Sequence, residues 1–220
     1  MKTLLLCRSC PKGKSLILLL ASIILFFFAC KKVKQDNEFP DLPAYSETGS
    51  NSGGVFINDN VWLCWRPTFI PEIPALEIHS YPQGDSLILV LNGGYKKIPP
   101  YSLEEGLGPN AIFFVIKNIH ITNDADLLKL NKKVILLDST NNYAGLSYGG
   151  EKRGRGKGTL YMGEVKVNTH GNYGTKENPI HPYTVPGRFA FEINGAKTYV
   201  LKEGRFDGKQ VNGINFKIVE

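Results

Sequence analysis

Cysteine is scarce in this chain of 220 residues: four occur, and beyond residue 30 only Cys64 remains. A lone thiol has no internal partner, so no disulfide framework staples the C-terminal part, and its fold must rest on an apolar core. A stretch of this length is ample for that, since a domain of this size buries about 70% of its unfolded surface. Several local signatures are also missing. No apolar run reaches the roughly 20 residues that a spanning helix needs. There is no strand-helix-strand rhythm, so Gly145-Leu146-Ser147-Tyr148-Gly149, which has the Gly-x-Ser-x-Gly spacing, lacks the strand-turn-helix setting of a nucleophile elbow, and Ser147 has no local reason to be activated. The four histidines, His79, His120, His170 and His181, show neither the i, i+4 spacing nor the His-x-His pattern of a local zinc site. The sequence therefore names no catalytic residues, no metal ligands and no cofactor.

What is present begins at the N-terminus. Lys2, Arg8, Lys12 and Lys14 form a basic stretch with no acid, and Leu16 to Cys30, LILLLASIILFFFAC, follows as an apolar run ending in a small residue and a cysteine. Basic flank, short apolar segment and small residue in that order mark an export signal. Lys31, Lys32 and Lys34 put positive charge on the far flank too, which leaves the positive-inside rule little to orient by. The alternative is an uncleaved N-terminal anchor helix. In either case the domain is held at a membrane.

The four residues Phe27-Phe28-Ala29-Cys30 resemble the lipobox of bacterial lipoproteins, although Phe28 stands where a small residue is usual. That resemblance implies cleavage before Cys30, acylation of its thiol, and stable anchoring by more than one lipid chain. The expected division is residues 1–29 as signal, 30–52 as lipidated N-terminus and tether, and 53–220 as one domain. The expected site is the outer membrane, facing periplasm or cell surface. Loss of the signal removes four basic residues, leaving 22 against 20 acids and a net charge of +2 instead of +6. The basic character is largely an address, and a nucleic-acid partner, which wants a concentrated basic footprint, loses its support. Cys7 and Cys10 form a CxxC that leaves with the signal.

Residues 31–52 are polar, with Pro40, Pro43 and Gly49, and read as a tether reaching on the order of 70 Å when extended. Leu42, Tyr45 and Thr48 point to docking of its later half. From Gly54 the texture is that of short strands. Val55 to Ile57 and Val61 to Trp65 flank Asn58-Asp59-Asn60, a hairpin turn composition. Leu87 to Leu91 and Ala111 to Ile116 are continuously apolar, as in strands covered on both faces. Asp124 or Asp126 would cap one short helix over Leu127 to Leu130. The parity of Leu160 and Met162 against Val165 and Val167 predicts a bulge at Gly163. Phe189, Phe191 and Ile193 alternate with Arg188, Ala190 and Glu192 before an Asn194-Gly195 turn. Roughly ten short strands and at most one helix predict an all-β fold, an antiparallel β-sandwich in preference to a closed barrel.

A second resemblance rests on Leu42-Pro43, Thr48-Gly49, Asn51, Gly54, Asn58 and Trp62, with Gly204-Arg205-Phe206-Asp207 near the C-terminus. These residues resemble a family of small uncharacterised Bacteroidetes lipoproteins. Ala44 stands where that pattern has a second proline, and Asp59 where it has glycine. The resemblance implies an anchored β domain and supplies no catalytic residues.

Several stretches invite chemistry. Gly149 to Thr159, GGEKRGRGKGT, fails the spacing of a phosphate loop and reads as a basic exposed hairpin loop, with an anion or lipopolysaccharide contact as the alternative. His170, His181 and Glu177 share a long segment and would support a hydrolase only if they converged. Asn123-Asp124-Ala125-Asp126 begins like a calcium loop but lacks its glycine and terminal glutamate. Glu203, Arg205 and Asp207 share one strand face and suggest a structural ion pair around Phe206. Cys64, beside Trp62, reads as a buried inert thiol. The tyrosines of the inferred loops, Tyr95, Tyr101, Tyr143, Tyr148, Tyr173 and Tyr183, are the ligand-binding candidates, because rigid aromatic faces grip sugars or peptides at low entropic cost. The expected function is a non-enzymatic binding or structural lipoprotein of the cell envelope, with a glycan, a peptide or an envelope protein as partner.

Overall fold

The computed structural model describes residues 34–64, 74–96, 108–169, 173–211 and 216–220. Cys30, Trp65, Tyr101 and His170 lie outside them. The chain from Gln35 onward forms one unit. Its strands are β1 (Ser52–Ile57), β2 (Asn60–Cys64), β3 (Leu76–Tyr81), β4 (Ser86–Tyr95), β5 (Ala111–Lys117), β6 (Val134–Asp138), β7 (Tyr143–Tyr148), β8 (Glu151–Met162), β9 (Lys166–Val167), β10 (Tyr183–Ile193), β11 (Tyr199–Gln210) and β12 (Phe216–Ile218). A single 3-10 turn, Pro82–Gly84, and a 3-10 helix, Asp124–Leu130, complete the regular structure.

The all-β expectation holds, and the pairing is antiparallel except where β12 runs parallel to β3. The sandwich does not hold. Strands β4, β2, β1, β11, β10, β8, β7 and β5 pair in that order, and β5 returns to β4, closing an eight-stranded barrel. The closing seam runs from Ser86 opposite Lys117 to Asn92 opposite Ala111. On its other edge β4 pairs first with β3 and then, through Gly93 to Tyr95, with β2. Register shifts in the β1–β11, β10–β11 and β7–β8 ladders bend the long strands around the barrel.

The sandwich expectation failed at one strand. Gly149 to Thr159 is no loop: all but its first two residues belong to β8, which joins β7 to β10. Without that strand the ladder has a gap and resembles two separate sheets. Its glycines alternate with cations, which is a strand period written in unusual letters. A Cβ on Gly156 would lie 2.7 Å from a ring carbon of Phe191 and 2.9 Å from the Glu192 carbonyl, so only glycine lets β8 approach the core there.

Inside, Phe114 meets Phe189 edge to face at 5.1 Å and Phe191 at 5.9 Å, while Phe189 lies 6.4 Å from Phe206. Such pairs add to the apolar area already buried. Trp62 is fully buried and donates its indole N–H to the Pro109 carbonyl at 2.8 Å. One end is stoppered by the 3-10 helix, whose Leu127 and Leu130 are buried. Asn123 caps it, not Asp124 or Asp126, and Asp126 completes a reciprocal capping box. The predicted bulge at Gly163 is instead a break: β8 ends at Met162, Val165 is buried, and Val167 is exposed in β9. The Asn58-Asp59 hairpin is as expected, with both residues at positive φ. The turn begun by Asn194-Gly195 is longer than two residues, since β11 starts at Tyr199.

Residues 35–51 form a strap across the outer wall, so the folded unit starts well before Gly53. Leu42 is fully buried. Arg205 pairs with Asp36 and lies over the Phe39 ring at 5.6 Å. The buried Asp207 carboxylate accepts hydrogen bonds from Ser46 Oγ, the Thr48 amide and hydroxyl, the Gly49 amide at 2.8 Å, and the Ser50 amide and hydroxyl. Arg205 thus forms ion pairs, with Asp36 and with Glu203 at 3.4 Å, whereas Asp207, expected in the same ion pair, instead serves as the strap's anchor. The two stretches carrying the second resemblance are ladder neighbours, with Ser52 opposite Asp207 and Gly54 opposite Arg205.

Two substitutions test these contacts. Asp207→Ala strands buried donors and is expected to cost about 3 kcal/mol in urea unfolding, with new proteolysis in residues 44–50. Gly156→Ala is expected to cost about 2 kcal/mol by overpacking; wild-type stability would contradict the β8 placement.

Candidate functional site

β4 and β7 run in the same direction and β11 opposes them, so the last residues of β4 and β7 and the first of β11 meet at one end of the barrel. Those residues are Tyr95, Tyr148 and Tyr199. Each continues the inward parity of its strand, from Leu91, Leu146 and Leu201, all buried. Tyr148 and Tyr199 are half-buried against the core, and their phenols interact across the mouth. This end of the barrel is thus closed by phenols, as the other is by leucines.

Burial, then the interaction with Tyr199, push the Tyr148 phenol well above its ordinary value. Burial and the neighbouring Tyr199 raise Tyr95 as well. Cations rim the mouth: Arg153 lies over the Tyr148 ring at 5.0 Å and Lys197 over the Tyr199 ring at 5.2 Å. A guanidinium or ammonium over one ring face, with phenol hydroxyls beside it, suits a ligand that offers hydroxyl or carboxylate oxygens.

The other tyrosine candidates are dispersed. Tyr143 is on the outer wall, edge-on to Phe113 and beneath Arg155 at 4.8 Å. Tyr173 and Tyr183 are at the opposite end; Lys209 lies over Tyr173 at 4.7 Å, and burial raises Tyr183. Sequence reading missed Tyr199, Arg153 and Lys197, because which strand ends coincide is a property of strand order.

Two of the histidines, His79 and His120, have structural partners. Glu77 bonds His79 and Asn92, and Asp85 bonds His120. Burial pushes the Cys64 thiol up to about 12, although the residue as a whole is partly exposed. Among the described residues no cluster of histidine, cysteine, aspartate or glutamate could hold a metal ion. A slight recess between the strap and β11, too tight to admit a water, is lined by Tyr45, Ser46, Arg205 and Asp207, whose polar groups are already engaged: Ser46 donates to Asp207, Arg205 pairs with Asp36, and Tyr45 donates to Glu47. Comparison of the chain with protein-family models, curated proteins and solved structures found no match in any of the three.

The raised phenols carry a pH dependence. The folded chain holds these protons more tightly than the unfolded one, so stability is complete below the ordinary tyrosine value of about 10 and falls as pH rises through it. Tyr148→Phe is expected to lessen that alkaline loss and to remove one late-ionising phenol from the ultraviolet titration.

Proposed function

We propose that the chain is a lipid-anchored extracytoplasmic protein of the outer membrane, whose barrel is a non-enzymatic binding or structural module for a glycan, a peptide or an envelope protein. The observation that carries this reading is the tyrosine-closed mouth. The barrel interior is filled by Phe114, Phe189, Phe191 and Phe206, which directs recognition to the outside. At the mouth, three phenols and two cations converge. Rigid rings with polar tips supply contact area at small entropic cost. The anchor half of the proposal rests on the lipobox resemblance at Cys30 and the basic and apolar segments before it.

Each half has its own test. A glycan array and an envelope pulldown on the mature chain are expected to yield a ligand whose binding weakens about tenfold in Tyr148→Ala, the loss typical of an aromatic contact. Silence on both would sink the binding reading. A fragment cut at Gly53 is unsuitable, because it lacks the strap held by Asp207. Metabolic labelling with a fatty acid is expected to mark the wild type and leave Cys30→Ala unlabelled; label persisting in the variant would refute acylation there.

A further inference from the structure

The outer wall of β6, β8 and β10 forms a grid fixed by register. Val134, Tyr161 and Arg188 make one cross-strand row, Leu136, Thr159 and Ala190 the next, and Asp138, Lys157 and Glu192 the third. Barrel walls in water carry polar residues outward, yet here Val134 is 60%, Leu136 68% and Tyr161 51% exposed. The patch is contiguous, and among the described strands β6 pairs only with β8, so it stands at a sheet edge. Exposed apolar patches with polar rims mark interaction surfaces.

The rim is cationic. Lys132 and Lys133 immediately precede Val134 and are exposed, Lys157 follows on β8, and Arg188 completes the first row. The nearby acids are engaged: Asp138 accepts the amides of Thr140 and Asn141, Glu192 accepts from Asn194, Glu164 pairs with Lys166 while also facing Lys132, and Glu47 accepts from the Tyr45 hydroxyl. An apolar centre within a basic rim complements a bilayer surface bearing anionic headgroups.

The path of the chain brings that surface within reach. Gln35 bridges to Pro43, and Tyr45, two residues on, has the Arg188 guanidinium over its ring at 4.2 Å. From Arg188 across to Val134 is two strand spacings, roughly 10 Å. Only four residues lie between Cys30 and Gln35, five steps along the chain and a reach of about 17 Å when extended. An anchor at Cys30 therefore holds this wall close to the bilayer instead of far above it.

We infer that the outer face of β6 and β8, with Val134, Leu136 and Tyr161 at its centre and Lys132, Lys133 and Arg188 at its rim, lies on an anionic phospholipid surface. This rests on the proposed lipid anchor and adds to it an orientation of the barrel. The test uses the full mature lipoprotein reconstituted in phosphatidylcholine vesicles with and without phosphatidylglycerol. An environment-sensitive fluorophore is placed on Leu136→Cys or, as control, on Lys217→Cys of β12. The expected result is a blue shift at position 136, quenched by lipid carrying a shallow nitroxide and strengthened by phosphatidylglycerol, with no change at 217. Adding Val134→Asp should abolish the shift while the protein stays with the vesicles. Water-like emission at 136 from vesicle-bound protein would overturn the orientation and leave the anchor standing. Protein that fails to stay with the vesicles would overturn both. A shift at 136 that survives in detergent and grows with protein concentration would assign the face to a second copy of the chain, and would overturn the inference.

Discussion

Closure of the β4–β5 seam is the constraint on which this molecule depends. Seven consecutive ladder positions join Ser86–Asn92 to Ala111–Lys117, and they convert an open sheet into a ring. A ring of eight strands has an interior that side chains can just fill. Phe114, Phe189, Phe191 and Phe206 fill much of it, and glycine at position 156 lets β8 close over them. Once the inside is occupied, everything that distinguishes one part of the surface from another lies on the wall and at the ends. The seam thus connects core packing to the proposed function: with the interior filled, the binding surface proposed for this barrel lies outside it.

The wall is not uniform. On the side of β1, β11 and β10 it carries the strap, fixed by two neighbouring residues of β11 that point to one face. Arg205 engages Asp36 and the Phe39 ring, and Asp207 gathers six donors from residues 46–50. A buried carboxylate is costly unless its lone pairs are satisfied, and the turn at residues 46–50 satisfies them. Phe206 between them faces the opposite way, into the core. One tripeptide therefore fastens the N-terminal segment outside and the aromatic cluster inside.

Much of this was legible in the residues. The alternation of Phe189, Phe191 and Ile193, the Asn58-Asp59 turn and the unbroken runs of β4 and β5 are local patterns, and they locate strands correctly. The errors share a cause. Glycine was read as loop at residues 149–159, although here it is a small residue facing a phenylalanine, and that one misreading opened the ring into a sandwich. The tether was read from polar composition, which does not reveal that Asp207, far along the chain, is its partner. At the mouth, Tyr95 and Tyr148 stand out in the sequence as loop tyrosines and prove to be the last residues of strands, whereas Tyr199 does not stand out, since convergence depends on strand order. Tyr143, Tyr173 and Tyr183 share the composition without the position.

A filled barrel and a hollow one make opposite claims about ligands. In a hollow barrel an apolar guest enters and is enclosed; in this one Trp62 and the four phenylalanines already occupy that space. The direct measurement is titration of the mature protein with an apolar fluorescent fatty acid, following energy transfer from the buried tryptophan. The packed interior predicts no saturable site. One-to-one saturation, with a blue-shifted probe and loss of tryptophan emission, would contradict it.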